Sequence, residues 1–254
     1  MSRLHIFDIL NQEINFREEY NKLQLLVRET LRFNGGFMNQ KISVHEVIEL
    51  NFRGWKNRGT SISLDETITQ IATTRCDYST KVFLFSELLM NLVLDKISLP
   101  NHNSTYAKVV DEQVRYIMEN IQQILARTGY CWQNIEGKIY ILENNSAATA
   151  VTEITNDSQV LEYNHFALKG NLTQKMAIIN HLYKNFEPKR KSLEEKEYKS
   201  IYDDYAFLAN TFSRHNSDES LKILQEINSD IECVLDYAYD LYLTVILIDN
   251  YLRG

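Results

Sequence analysis

Glycine and proline are scarce in this chain, and this scarcity constrains its fold more than any other feature. The 254 residues include 8 glycines and 2 prolines, well below the average of roughly 12% for the two together. Because these residues end helices and form tight turns, their scarcity favours long uninterrupted helices. We therefore expect a mainly all-α protein, long enough for one large domain or two smaller ones.

Apolar residues recur at helical spacing in two blocks of the sequence. In the second block, for example, Tyr205, Leu208 and Phe212 fall on one face of a helix. We predict that the helices near 190–213 and 229–252 form an antiparallel pair, with a short helix beginning at Ser217 or Asp218 between them. The other predicted helices lie near residues 3–13, 15–33, 43–53, 63–73, 78–97, 105–128, 146–154, 158–169 and 172–185.

One segment between the two blocks has the character of strands. In YCWQNIEGKIYIL, apolar and aromatic residues flank Glu136-Gly137, where glycine can supply the positive φ of a tight turn. We predict a small β-hairpin of 130–135 with 138–142 as the only sheet. The predicted domains are an N-terminal helical domain over 1–129, a hairpin linker over 130–145 and a helical domain over 146–254.

Net charge and motif content exclude several classes of protein. The formal net charge of -7 argues against a protein that coats duplex nucleic acid, so any nucleic-acid contact would be focal. The sequence has no Walker loop and no GxGxxG, GxSxG or HExxH motif, and its six histidines show no metal-ligand spacing. We therefore expect neither a bound metal nor a cofactor.

Targeting signals and cysteine usage predict the compartment. The first residues contain no apolar core of a signal peptide, and the longest apolar run, near 241–248, is far shorter than the roughly 20 residues that span a bilayer. The scattered cysteines Cys76, Cys131 and Cys233 suit free thiols in a reducing compartment, and we interpret them as small core residues. We expect a cytoplasmic protein without membrane contact.

The segment NFRGWKNRGT, residues 51–60, interleaves cations with aromatic residues. Arg53, Lys56 and Arg58 are suited to hold phosphates while Trp55 stacks on a base, which is how many proteins bind single-stranded nucleic acid. These four residues are therefore the candidate nucleic-acid-binding set. The alternative is a loop in which Trp55 is buried and the cations are solvated.

Arg214 and His215 lie at the predicted end of a long helix, in ANTFSRHN. Asn210 is about 200° around the helix from Leu208, and Arg214 follows four positions later on the same face. We therefore expect Asn210 and Arg214 to point away from the core. Two interpretations stay open: a helix end whose cations complement the helix dipole, and a functional surface formed with Asn210.

Three segments, ILARTGYCWQNIEGKIYIL, ANTFSRHN and ECVLDYAYDLYLTVILIDNYL, together resemble the HEPN superfamily. More narrowly, they resemble the C-terminal helical domain of bacterial abortive-infection proteins of the AbiJ type, over about residues 108–254. The resemblance implies a HEPN-like helical bundle that pairs as a homodimer and, in many members, is a metal-independent ribonuclease. On this resemblance the catalytic residues are Arg214 and His215, assisted by Asn210, and the partners are RNA and a protein from the same operon.

Three classes of function remain open at this point. In HEPN ribonucleases several residues separate the arginine from the histidine, whereas Arg214 and His215 are adjacent here. The leading hypothesis is a phage-defence or toxin-type protein that acts on RNA. The alternatives are a non-catalytic HEPN-like module for assembly or nucleic-acid binding, and a helical protein of unrelated regulatory role.

Overall fold

The chain is mainly helical and divides into two compact units, Met1–Ile141 and Leu142–Gly254. The structure is a computed structural model that describes residues 13–34, 39–95, 105–186, 199–214, 222, 226 and 230–253. Within these residues there are ten α-helices, one 3₁₀ turn and two sheets of two strands each. The mainly all-α fold is thus confirmed.

The first unit contains five helices and two hairpins among its described residues. Four of the helices begin at side chains that cap their first turn, as in the capping box of Ser43 and Glu46. The elements are α1 Phe16–Arg28, β1 Leu31–Asn34, β2 Asn39–Ile42, α2 Val44–Phe52, α3 Leu64–Thr73, α4 Tyr78–Leu94, α5 Thr105–Thr128, β3 Tyr130–Ile135 and β4 Lys138–Glu143, which crosses the unit boundary.

The hairpin of β1 and β2 corrects two sequence predictions. A helix was expected over 15–33 and a single sheet in the whole chain, but α1 ends at Arg28 and Leu31 pairs with Ile42 in a second antiparallel sheet. Glu29 leaves the helix with an extended ψ of 129°. The only glycine doublet of the sequence, Gly35-Gly36, lies between the two strands, and it is the signal that could have predicted this hairpin.

The predicted hairpin of β3 and β4 is present, and side chains of α4 hold its free edge. Asn91 bonds both backbone groups of Ile139, donating through Nδ2 to the carbonyl at 2.9 Å and accepting the N–H through Oδ1 at 2.8 Å. Glu87, one turn earlier, accepts the N–H of Ile141 at 2.9 Å. A hairpin alone is only marginally stable, and here two helical side chains take the place of a third strand.

The second unit is a helical bundle with an aromatic core. The buried rings of Tyr183, Phe186, Tyr202, Tyr205 and Tyr242 lie between its three long helices. The elements are α6 Ser146–Thr155, α7 Gln159–Glu162, a 3₁₀ turn Phe166–Leu168, α8 Leu172–Phe186, α9 Lys199–Arg214 and α10 Ile231–Arg253.

Parts of the helix prediction for this unit need correction or cannot be compared. The helix expected over 158–169 is instead the short α7 followed by the 3₁₀ turn. Residues 187–198 and the short helix expected at Ser217 or Asp218 lie outside the described residues, as does most of the helix expected over 3–13. Among the helices that the structure describes, none has the length and apolar character needed to cross a membrane.

Replacement of Asn91 by alanine should destabilise the first unit. The Asn91→Ala variant leaves the N–H and the carbonyl of buried Ile139 without partners, and we expect a loss of about 2–4 kcal/mol in the free energy of unfolding. Urea denaturation followed by circular dichroism measures this loss. Asn21→Ala, an exposed asparagine on α1, is the control, and an equal effect of both variants would contradict the proposed role of Asn91.

Candidate functional site

The end of α9 carries the residues that the sequence singled out. Asn210 is half-buried, and its Oδ1 accepts a hydrogen bond of 3.0 Å from the hydroxyl of Tyr183 in α8. The expectation that Asn210 points away from the core is therefore wrong, because α8 covers a flank of α9 that the apolar stripe alone did not reveal. Arg214 is the last residue of α9, and His215 lies outside the described residues.

Ring contacts fix the directions of the three long helices. Phe186 contacts Tyr202, and Tyr183 contacts Tyr205, so α8 and α9 run antiparallel. Tyr205 also contacts Tyr242 of α10, with ring centroids 5.8 Å apart. The contacting rings of Tyr183, Tyr205 and Tyr242 therefore lie at about the same height along the bundle, which we call the aromatic level. Because each residue of a helix advances the chain by about 1.5 Å, the distance of other residues from this level can be counted along each helix.

This comparison places the end of α9 beside a charged cluster. Lys175 precedes Tyr183 by eight residues. Glu232 precedes Tyr242 by ten residues, and Asp236 precedes it by six. Arg214 lies nine residues after Tyr205 in the antiparallel helix α9. All four residues are therefore about 9–15 Å from the aromatic level, at the same end of the bundle.

Lys175 is the centre of this cluster. Only 7% of the residue is exposed, and its Nζ lies 2.7 Å from Asp236 Oδ1 and 2.8 Å from Glu232 Oε1. The Tyr163 hydroxyl donates to the same oxygen of Asp236 at 2.8 Å, and the backbone N–H of Gly170 donates to Glu232 Oε1 at 2.8 Å. The cluster thus joins α8, α10 and the loop between α7 and α8.

The electrostatics of the cluster favour a fixed ion pair over proton transfer. Burial alone would lower the pKa of Lys175, but the hydrogen bonds that Lys175 donates to Asp236 and Glu232 outweigh burial and raise that pKa. The Gly170 N–H and Lys175 lower the pKa of Glu232. Burial and the Asp236 carboxylate raise the pKa of Tyr163. The lysine and the glutamate therefore stay ionised near neutral pH, and the tyrosine stays protonated.

Two histidines pair with carboxylates that lie far away in sequence. His181 Nε2 lies 2.9 Å from Asp157 Oδ2, and Asn185 Nδ2 contacts both groups at 2.9–3.0 Å. In the first unit, His45 Nε2 lies 3.0 Å from Asp65 Oδ1. Neither pair could be predicted from the sequence, since each joins separate elements. Within the part of the chain that the structure describes, no group of three or more His, Cys, Asp and Glu side chains could hold a metal ion.

The basic-aromatic segment 51–60 forms the turn between α2 and α3. Trp55 is 9% exposed, its Nε1 donates to Asp95 Oδ2 at 2.6 Å, and its ring packs on Phe52. The guanidinium of Arg58 donates to the backbone carbonyls of Arg53 and Ser61. Trp55 is therefore not open to a stacking base, and Arg58 is occupied by the backbone of its own loop.

Arg53 and Lys56, the other two candidate nucleic-acid-binding residues, are exposed on the same loop. The three cysteines are free thiols, but their interpretation as core residues is wrong for Cys233. This residue is exposed at the start of α10, where its Sγ lies 3.2 Å from Asp230 Oδ2. The sequence could not predict the exposure of Cys233, because the last helix has only one apolar face and the thiol of Cys233 lies outside it.

Replacement of Lys175 should weaken the second unit in a pH-dependent way. Lys175→Met leaves two carboxylates without their cation, and we expect a cost of about 1–3 kcal/mol, towards the lower end because Asp236 is about half-exposed. Because the pKa of Lys175 is raised, the stability that it contributes is lost only as the pH rises through that pKa, above the usual range of lysine. Because the pKa of Glu232 is lowered, the stability that it contributes is lost as the pH falls through that pKa, below the usual range of glutamate.

The stability difference between the wild type and Lys175→Met should therefore be constant from about pH 6 to pH 9 and should shrink below about pH 4. Urea denaturation across this range measures it, and Lys169→Met, at an exposed lysine, is the control. A difference that does not change with acid would show that the ion pairs contribute nothing.

Comparison with known proteins gives no family for the chain. No family model matches the sequence, no curated protein matches it, and no solved structure matches the fold.

Proposed function

We propose that the second unit is a HEPN-like module of a bacterial phage-defence or toxin-type protein, and that it acts on RNA where α9 ends. The observation that carries the proposal is the packing of α8, α9 and α10 around Tyr205. This packing presents the Arg214 end of α9 beside the first turns of α10, in a helical unit of the kind that the resemblance to HEPN domains implies.

The proposed chemistry needs no metal ion, because RNA carries its own nucleophile. A base must deprotonate the 2′-hydroxyl, an acid must protonate the leaving 5′-oxygen, and a cation must offset the charge of the transition state. We assign the acid and base roles to His215 and its counterpart in a second copy, since histidine titrates near neutral pH. Arg214 would bind the phosphate through its planar guanidinium.

Asn210 has a narrower role in this proposal than the sequence indicated. Its Oδ1 accepts a hydrogen bond from the hydroxyl of Tyr183, so this amide is already engaged within the fold. The hydrogen bond with Tyr183 ties the penultimate turn of α9 to α8. Asn210 therefore acts mainly by positioning the helix end that carries Arg214.

We expect the wild-type protein to cut single-stranded RNA or tRNA in excess chelator, and His215→Ala and Arg214→Ala to reduce the rate by about 10²-fold or more, because each removes a group that stabilises the transition state. Gel analysis of labelled RNA measures the rate. Arg115→Ala, at an exposed arginine on α5, should cut normally. If the wild type cuts nothing, or His215→Ala cuts equally well while folded, the catalytic proposal fails.

A second candidate function is a non-catalytic assembly module, and the outer face of α10 favours it. Along this face the side chains of Cys233, Tyr237, Asp240, Thr244 and Tyr251 are exposed, 54% for Tyr237 and 83% for Tyr251. They are separated by four, three, four and seven residues, which fits the heptad spacing of a helix-pairing seam. We call these five residues the α10 seam.

The α10 seam matches a second copy of itself in the antiparallel direction. In that arrangement Asp240 of each copy lies opposite Thr244 of the other, whereas parallel pairing would place the two Asp240 carboxylates together. A further negative charge beside Asp240 would be unfavourable, since burial and the Asp236 carboxylate already raise the pKa of Asp240. A two-fold symmetric homodimer through this seam is therefore consistent with both candidate functions.

Tyr237→Glu together with Tyr251→Glu should convert a dimer to a monomer, because four carboxylates would be added to one symmetric contact. Sedimentation velocity at tens of micromolar, a range in which weak pairing is visible, measures the change. Tyr116→Glu, at a tyrosine of α5 that is 48% exposed, is the matched control. A wild-type monomer would contradict the dimer, and a dimer without RNA cleavage would support the assembly module.

A further inference from the structure

Asp157, His181 and Asn185 bring three side-chain atoms to the corners of a triangle. His181 Nε2 lies 2.9 Å from Asp157 Oδ2, Asn185 Nδ2 lies 2.9 Å from the same oxygen, and the two nitrogens are 3.0 Å apart. His181 and Asn185 are one turn apart on α8, whereas Asp157 lies between α6 and α7. We refer to these three residues as the Asp-His-Asn triangle.

The backbone holds the carboxylate of this triangle in place. Asn156 ends α6 in the left-handed conformation, with a φ of 55°, and so turns the chain towards α7. Oδ1 of Asp157 accepts the backbone N–H of Gln159 at 3.1 Å, which leaves Oδ2 for His181 and Asn185. The side chain of Asp157 is 14% exposed and that of His181 is 40% exposed. The carboxylate is therefore largely enclosed, while solvent reaches the imidazole.

Each distance in the triangle is that of a hydrogen bond, but protons cannot satisfy all three edges while Asp157 is ionised. The edge from Asp157 to His181 requires a proton on Nε2, whereas the edge from Asn185 to His181 requires a lone pair on the same nitrogen, because the amide Nδ2 is a donor. Turning the amide so that Oδ1 replaces Nδ2 brings two acceptor oxygens together instead. One edge therefore always joins two like groups.

A six-coordinate cation satisfies all three atoms together. Two ligand atoms that bind such an ion at right angles, each about 2.1 Å from it, are about 3.0 Å apart, as the atoms of the triangle are. Four-coordinate zinc would separate its ligand atoms by about 3.4 Å, and the longer bonds of calcium would separate them by about 3.3 Å or more. The dimensions of the triangle thus match one face of a small octahedral site.

We propose that the Asp-His-Asn triangle binds a divalent transition-metal ion of the series from Mn²⁺ to Ni²⁺. The ligands on one face are Asp157 Oδ2, His181 Nε2 and, after the amide turns, Asn185 Oδ1, and water occupies the other three positions. One imidazole nitrogen with two oxygens suits these ions better than Mg²⁺ or Ca²⁺, which prefer oxygen alone. Because the ligands come from two separate segments, the ion links the end of α6 to α8.

The site was not expected from the sequence, and it is separate from the proposed RNA site. Asp157 precedes His181 by 24 residues, and asparagine is outside the usual set of metal ligands, so the spacing of histidines does not reveal it. His181 and Asn185 are each two residues from Tyr183, about 3 Å along the helix. They therefore lie near the aromatic level, away from the Arg214 end of α9, and the RNA assay in chelator neither supports nor contradicts the metal site.

Isothermal titration calorimetry of the untagged full-length protein with Ni²⁺ tests the proposal. We expect one ion per chain with a dissociation constant of about 1–100 µM at neutral pH. Asp157→Asn and His181→Gln should each weaken binding at least about tenfold, because each removes a ligand charge or a ligand nitrogen. Asn185→Asp should tighten binding about tenfold, because affinity rises with the number of charged ligands, whereas a cluster that only forms hydrogen bonds would gain nothing from a second carboxylate.

His45→Gln is the matched control, because His45 also pairs with a carboxylate, that of Asp65, at 3.0 Å. The third group there is the guanidinium of Arg28, 2.7 Å from the same oxygen, and a guanidinium has no lone pair for a metal ion. This variant should bind Ni²⁺ as the wild type does.

The visible spectrum of the protein with Co²⁺ reports the coordination number, since six-coordinate Co²⁺ absorbs weakly and four-coordinate Co²⁺ absorbs strongly. We expect the weak spectrum. The proposal is overturned if the wild type does not bind Ni²⁺, or if Asp157→Asn and His181→Gln bind it equally well while circular dichroism shows them folded. It is also overturned if Asn185→Asp does not tighten binding, or if Co²⁺ gives the strong spectrum.

Discussion

The ring of Tyr205 is the contact on which the arrangement of the second unit depends. It is fully buried and lies against Tyr183 and Phe186 of α8 and against Tyr242 of α10. One side chain thus sets the register of three helices, because large rings pack in only a few orientations. The heights of the other residues along the bundle follow from this register, and they place Arg214 and Lys175 at the same end of the unit.

Polar side chains in both units mainly satisfy backbone groups that secondary structure leaves unpaired. Asn91 and Glu87 take the place of a strand beside β4, and Glu232 accepts the N–H of Gly170. A buried N–H without a partner is costly, so these contacts decide where loops and hairpins sit. The same logic applies in the α2–α3 loop, where Glu49 accepts the N–H of Leu64 and Arg58 donates to the carbonyls of Arg53 and Ser61.

The charge at the Arg214 end of the bundle restricts what the proposed site can do. Glu232, Asp236 and Asp240 lie on the first turns of α10, and Lys175 offsets only part of their charge. A phosphate bound there would depend strongly on the guanidinium of Arg214, and its affinity would fall with ionic strength. In the proposal, catalysis and assembly are therefore separable, because the α10 seam is exposed and would be available for assembly whether or not RNA is cut.

Much of the fold follows from local sequence signals. Helical periodicity and scarce glycine predict α2, α3, α4, α5, α8 and α10 to within a few residues, and Gly137, with a φ of 82°, marks the turn between β3 and β4. These features depend on neighbours within a few positions of the chain, which a single sequence records. The first hairpin had a comparable signal in Gly35-Gly36, but the longer helical pattern before it concealed that signal.

The candidate sites depend on contacts between distant residues, and only the tertiary structure decided them. The sequence could list Arg53, Trp55, Lys56 and Arg58 as a set, but Asp95, 40 residues away, turns Trp55 inward. In the same way, Tyr183 accounts for the orientation of Asn210. A single sequence shows which side chains can pair, whereas the packing of helices decides which ones do, because the pairing energy is realised only when separate elements meet.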